Sequence, residues 1–294
     1  MQLQALTKQQ RKIIRAWCMY DWANSGFATS GIAAILPVYF VFLFKDALGN
    51  EAIFLGISFT GSSMWGLATA VSTGIVALTS PILGVIADRV AIKKTLLWIY
   101  TITGCLFTVL SFFSVYSPSP WAWLLGTFLI GNVGFAGSLV FYNSLLPHIT
   151  PHRHLLDEVS SKGYAYGYIG GGLLLLIHLI LVLLTSDSEY ADLVTRLSLG
   201  SIGVWWFLWA IWTLKVVPEP LIENPVKGLK PISALKLSFS ELSKTFSELR
   251  KFKVILTYLG VYLLFNDGIQ TVMAIAGAFA ADTLGIPLTF NMLT

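Results

Sequence analysis

Apolar residues run through this chain in long uncharged blocks, separated by short polar segments that carry nearly all of the charge. An α-helix needs ~20 apolar residues to cross the hydrocarbon core of a bilayer, and seven blocks meet that length. The first lies between Arg15 and Lys45; it exceeds the core, so it tilts or protrudes, with Pro37 placed to bend it. No charge occurs from Ala52 to Ala87, where an outer loop comes first and a second span follows at about 66–87. A third span is expected from Thr95 to Val115, turned by the Ser-Pro-Ser-Pro stretch 117–120. The fourth covers Trp121 to Leu146 and stops at Pro147, which has no N–H to continue a helix. Spans five, six and seven fall at roughly 163–185, 197–214 and 254–281, and Asp282 to Thr294 reads as a loop entering another span.

Composition agrees with bilayer as the solvent. The chain is 55% hydrophobic and 12% charged, against about 25% charged in a soluble domain. Basic residues then fix the orientation. With the N-terminus inside, seventeen of nineteen Lys and Arg fall on the inner side: Lys8, Arg11, Lys12, Arg15, Arg89, Lys93, Lys94, Arg153, Lys162, Lys215, Lys227, Lys230, Lys236, Lys244, Arg250, Lys251 and Lys253. Only Lys45 and Arg196 fall outside. Inner loops of membrane proteins carry this excess, so the N-terminus is cytoplasmic. No short apolar core with a cleavage site precedes Arg15, so the first span is itself the insertion signal.

The longest inner loop, 215–253, contains Ile232, Leu235, Phe239, Leu242, Phe246 and Leu249 at alternating steps of three and four. Charged residues sit between them, which defines an amphipathic helix. Two placements are open for it: on the inner membrane surface, or as a linker packed against the inner face of the bundle.

Several chemistries are excluded. The net charge of +4 is small and scattered, which does not suit nucleic acid. Cys18 and Cys105 both lie in spans, too few for a disulfide framework or a zinc site. There is no Walker loop, metal-ligand cluster or supported nucleophile–base pair, so neither an enzyme nor a cofactor or metal is expected. His148, His152 and His154 beside Pro151 read as solvated loop, and His178 as a neutral side chain with one helix–helix hydrogen bond.

The inner segment from Gly84 through Asp88 and Arg89 to Lys93 and Lys94 resembles the signature loop of the major facilitator superfamily, with Ala91 where a second glycine is usual. The resemblance implies a gating role for Gly84, Asp88, Arg89, Lys93 and Lys94; physically, Gly84 permits close helix approach. Three further stretches are similar to a narrower branch, that of the autophagy-associated vacuolar amino-acid effluxer of fungi. They are Tyr20-Asp21-Trp22-Ala23-Asn24-Ser25, the glycine-rich run from Val159 to Gly172, and Phe265-Asn266-Asp267-Gly268-Ile269-Gln270-Thr271. The usual antiporter arginine of the fourth span and the proline-glycine motif of the fifth are absent.

The resemblance implies an all-α, major-facilitator-type bundle of twelve spans. This chain would supply the six-helix N-terminal half (1–214), a central cytoplasmic loop (215–253) and the first helix of the other half (254–294), as a truncated product. The implied function is secondary transport of a small solute, such as an amino acid, by alternating access. The alternative is a non-transporting membrane sensor or scaffold on the same fold; a seven-helix receptor is excluded by the N-inside topology. Partners are then membrane lipid, the solute, and a proton or other cation. The membrane would be the cell membrane of a prokaryote or the vacuolar membrane of a fungus.

A carboxylate at a helix centre costs ~2.5–3.5 kcal/mol to insert, which singles out Asp267 for substrate or cation coupling. Asn266 is adjacent, and Gln270 and Thr271 lie on its face. Asp21 sits near the inner end of the first span, with Asn24 and Ser25 extending its polar face. Asn132 and Asn143 are three turns apart on one face of the fourth span, either lining a path or bonding between helices. Gly131, Gly134, Gly137 and Gly170 to Gly172 are expected to serve close helix packing.

Overall fold

The computed structural model describes residues 6–150, 152–222 and 231–293, with the backbone alone at Pro231 and Ile232. Lys227, Lys230, Pro151 and the Ile232 side chain therefore lie outside the described residues. Seven helices among the described residues are long and apolar enough to cross a membrane.

Helix α1 (Lys8–Gly26) starts at a capping box, in which Thr7 Oγ1 accepts from the Gln10 amide at 3.2 Å and Gln10 Oε1 accepts from the Thr7 amide at 3.0 Å. The helix continues through a π-helical stretch, Phe27–Ile35, into α2 (Leu36–Leu48), giving one run of 41 residues. The expected irregularity thus lies just before Pro37. A proline lacks the N–H that would bond the carbonyl four residues back, and Asn291 Nδ2 donates to that Ala33 carbonyl at 3.3 Å and to Ala34 at 3.1 Å.

The loop after α2 holds a hairpin that the apolar pattern concealed. Strands β1 (Ala52–Phe54) and β2 (Ile57–Phe59) pair antiparallel, with Ala52 opposite Phe59. Leu55 and Gly56 join them with φ of 52° and 80°, the left-handed pair that a two-residue hairpin turn demands. Helix α3 (Gly61–Arg89) then begins earlier than expected, capped by Thr60 and Ser63. Next come α4 (Lys93–Leu110), a 3-10 stretch Ser111–Tyr116, and α5 (Pro120–Ile149). Helix α5 passes through Pro147 instead of stopping there; only the Asn143 carbonyl, one turn back, loses its helical donor, and the helix ends two residues after the proline. The remaining helices are α6 (Leu156–Thr185), α7 (Ala191–Val216), α8 (Pro231–Leu249), α9 (Lys253–Thr283) and α10 (Leu288–Asn291).

Six spans form one bundle. The first packs on α6 and α7, α4 packs on α5 and α7, and α3 packs on α5. Small residues set the approach: a β-carbon on Gly134 would fall 2.5 Å from Gly104 Cα, and one on Gly170 would fall 2.6 Å from the Trp22 carbonyl. Gly172 and Gly84 depart from the expectation, since a β-carbon on either meets nothing within 4 Å. The neighbour of α3 near its C-terminal end is α8, bonded at Ile82 and Arg89, and not another span at Gly84. Helix α9 is attached differently from the other spans. It contacts α2, α3 and the π-helical stretch, yet only Gly277 and Ala278 within it are buried.

Candidate functional site

Trp17, Tyr20, Asp21 and Asn24 follow at helical spacing and share one face of α1. Tyr142 of α5 lies against that face. Its ring stacks on Trp17 at 4.3 Å and on Tyr20 at 4.8 Å. Its carbonyl accepts from Trp17 Nε1 at 3.1 Å, and its hydroxyl donates to Asp21 Oδ2 at 2.9 Å. Tyr20 shares a 2.6 Å hydrogen bond with Thr101 of α4, so this one patch couples three spans.

The glycines of α6 close the site from the other side. A β-carbon on Gly163 would come within 2.5 Å of Asp21 Oδ2, and one on Gly167 within 2.7 Å of Ser25 Oγ. The glycine-rich run therefore exists where a helix must pass directly over a half-buried carboxylate. Asn24 is 3% exposed, and its Nδ2 has no hydrogen-bond partner among the described residues.

The other sequence candidates are dispersed. Asn132 donates to Ser72 Oγ at 2.7 Å and so joins α5 to α3, whereas Asn143 is exposed near the C-terminal end of α5. Asp267, Gln270 and Thr271 are exposed along α9 and Asn266 is half-buried; no hydrogen bond joins them to the bundle among the described residues. His178 takes the expected single bond, to Ser201 Oγ of α7 at 2.8 Å.

At the α3–α4 turn the charges form a compact knot. Lys93 is buried, pairs with Asp88 at 2.7 Å, and lies 3.2 Å from His148 Nε2. His148 is therefore part of this knot and not merely solvated loop. Glu219, just beyond α7, accepts from the Lys93 and Lys94 amides at 2.8 Å each, which fills the orphan donors and favours the positive end of α4. Arg89 pairs with Glu241 of α8 at 3.3 Å. A cleft of about 280 Å³ between Asp88, Lys93, His148 and Glu219 opens here.

At the opposite end Lys45 and Asp282 form a clasp. Their charged groups are 2.8 Å apart, Lys45 Nζ also donates to the Asp282 carbonyl, and the Ser62 amide donates to Asp282 Oδ2 at 2.8 Å. Trp65 Nε1 adds a bond to the Ala274 carbonyl at 2.9 Å. Tyr142, Glu219 and Glu241 were not singled out from sequence, and His148 and Asp282 were read there only as loop residues. Each acts through a partner distant in the chain, and only Glu219 and Asp282, each the first acidic residue after a span, offered a local signal.

A bundle of apolar helices with charged knots at both ends is a multi-pass integral membrane protein of the major-facilitator type. Residues 9–293 match the family described as "Vacuole effluxer Atg22 like", and the chain belongs to that family. It is 29% identical over 289 residues to the "Uncharacterized MFS-type transporter YxiO" of Bacillus subtilis, covering 97% of this chain and 62% of that protein. It is 33% identical over 148 residues to "Autophagy-related protein 22-1" of Aspergillus fumigatus, covering 47% of this chain and 24% of that one. The protein of the same name from Penicillium rubens is 24% identical, over 94% of this chain and 63% of its own length. The chain thus spans less than two thirds of the curated relatives it matches.

Proposed function

We propose that the chain works within a secondary transporter that moves a small solute, an amino acid or similar metabolite, by alternating access. Its N-terminal side is cytoplasmic by the basic-residue count. The observation that carries this reading is the asymmetric seating of α9. This helix meets the six-helix bundle at the Lys45–Asp282 end, while its other half, from Val254 to Met273, is exposed apart from the half-buried Asn266. Contact between α9 and the six-helix bundle at the Lys45–Asp282 end supports an arrangement in which two halves close at that end.

In this reading Asp21, with Tyr142 and Asn24, is the polar element of the first half, and Asp267, with Asn266 and Gln270, is that of the second. Each acts on solute or on a coupling proton or cation. Asp88, Arg89, Lys93 and Lys94 form the inner gate together with Glu219 and Glu241. The decisive experiment reconstitutes the complete gene product in vesicles and follows labelled amino acids. Saturable flux that falls at least tenfold in Asp267→Asn is expected. A folded protein that moves no amino acid or small metabolite would overturn the proposal in favour of a sensor.

A further inference from the structure

Helix α8 presents two faces that serve different neighbours. Ala234 and Ser238 are 6% and 0% exposed, and with Glu241 they form the seam to α3, where Ser238 Oγ donates to the Ile82 carbonyl at 3.1 Å and Glu241 pairs with Arg89. The apolar stripe is elsewhere. Leu235, Phe239 and Phe246 are 44%, 62% and 52% exposed, with Leu242 and Leu249 half-buried along the same line. At 3.6 residues per turn this stripe lies about a quarter turn from the seam. Neither face can substitute for the other.

Charge and connectivity identify what covers the stripe. The segment 231–253 carries Lys236, Lys244, Arg250, Lys251 and Lys253 against Glu241 and Glu248. Lys236 and Arg250 border the stripe on the side away from the seam, and the Arg250 guanidinium lies 4.7 Å from the Phe246 ring centre. Glu241, by contrast, is turned to the protein. Helix α8 ends at Leu249 and the span α9 starts at Lys253, so the chain between them has no room to leave the membrane boundary.

We propose that this stripe is a lipid-contact surface. Helix α8 lies in the head-group region of the leaflet on the N-terminal side, its leucines and phenylalanines in the acyl chains and its basic residues on anionic head groups. The leaflet then holds the helix that presents Glu241 to Arg89 of the signature loop. This inference is independent of whether the protein transports anything.

The test places single cysteines at Phe239→Cys and Phe246→Cys on the stripe, and at Ser240→Cys and Ser247→Cys off it, in the complete protein. Each is labelled with bimane and reconstituted into phosphatidylcholine vesicles with or without phosphatidylglycerol. Brominated acyl chains should quench 239 and 246 at least twofold more than 240 and 247, with aqueous acrylamide showing the reverse order. Removing phosphatidylglycerol should reduce the bromolipid quenching. Equal acrylamide quenching at all four positions would overturn the proposal, and so would shielding of 239 and 246 from both quenchers, since a protein segment would then cover the stripe. Quenching indifferent to phosphatidylglycerol would overturn the anionic head-group part.

Discussion

Asp21 lies directly under α6, and that close approach makes opposite predictions for two glycines of the helix. A methyl at Gly163 would fall 2.5 Å from Asp21 Oδ2 and 2.9 Å from the Trp17 ring, while one at Gly172 meets nothing within 4 Å. Gly163→Ala should therefore cost about 1–3 kcal/mol as overpacking. Gly172→Ala should be neutral or stabilising by up to ~1 kcal/mol, because alanine is the better helix former. Thermal unfolding of the two purified variants checks this, and equal shifts would tell against the close α1–α6 contact. Tyr142→Phe keeps both ring stacks and deletes only the hydroxyl that reaches Asp21. Hydrogen bonds between membrane helices average near 0.6 kcal/mol and those to charged groups more, so a loss of about 1 kcal/mol is expected by the same measurement. Asp21 itself was legible in the sequence as a carboxylate in an apolar run. Tyr142 was not, because an aromatic residue in a membrane helix looks the same whether it faces lipid or holds a carboxylate.

Among the long helices, existence was legible and termini were not. Hydropathy marks where bilayer is, but helices extend past it wherever a cap is available. Thr60 with Ser63 starts α3 ahead of its apolar run, and at α7, which has no side-chain cap, the Asp192–Arg196 pair at 2.8 Å bridges the first turns. The β1–β2 hairpin was hidden for the same reason in reverse: its strands are three residues each, too short for alternation to stand out. Helix α4 offers the sharpest test at this scale. Its first two amides are held by Glu219 from the far end of α7. Side-chain caps are worth about 0.5–2 kcal/mol, so Glu219→Ala should speed hydrogen exchange at the Lys93 and Lys94 amides by about two- to thirtyfold. Exchange in the middle of α4 should not change. Unaltered exchange at both amides would mean that the cap is not formed in the membrane.

Over the whole molecule, Lys45 and Arg196, the two basic residues apart from the basic-rich segments, are each paired with an acid. Arg196 pairs with Asp192, and Lys45 pairs with Asp282, the last charged residue of the chain. In the proposed transporter the Lys45 pair joins the first span of one half to the first span of the other, so its energy belongs to one arrangement of the halves. Lys45 is 31% exposed and Asp282 only 7%, which places the pair between a surface bridge near 0–1 kcal/mol and a buried one whose rupture costs 3–5. A value of about 1–2 kcal/mol is a factor of about 5–30 in the ratio of closed to open at that end. A ligand binding one arrangement better feels that ratio directly. Asp282→Asn in the complete protein should therefore weaken apparent solute affinity from the N-terminal side and strengthen it from the other, each by up to that factor. Initial rates in vesicles of the two orientations measure both sides, and Lys45→Met should reproduce the effect without adding to it in the double variant. Affinities that fall equally from both sides would show the pair to be a general brace of the fold, and the clasp would lose its place in alternating access.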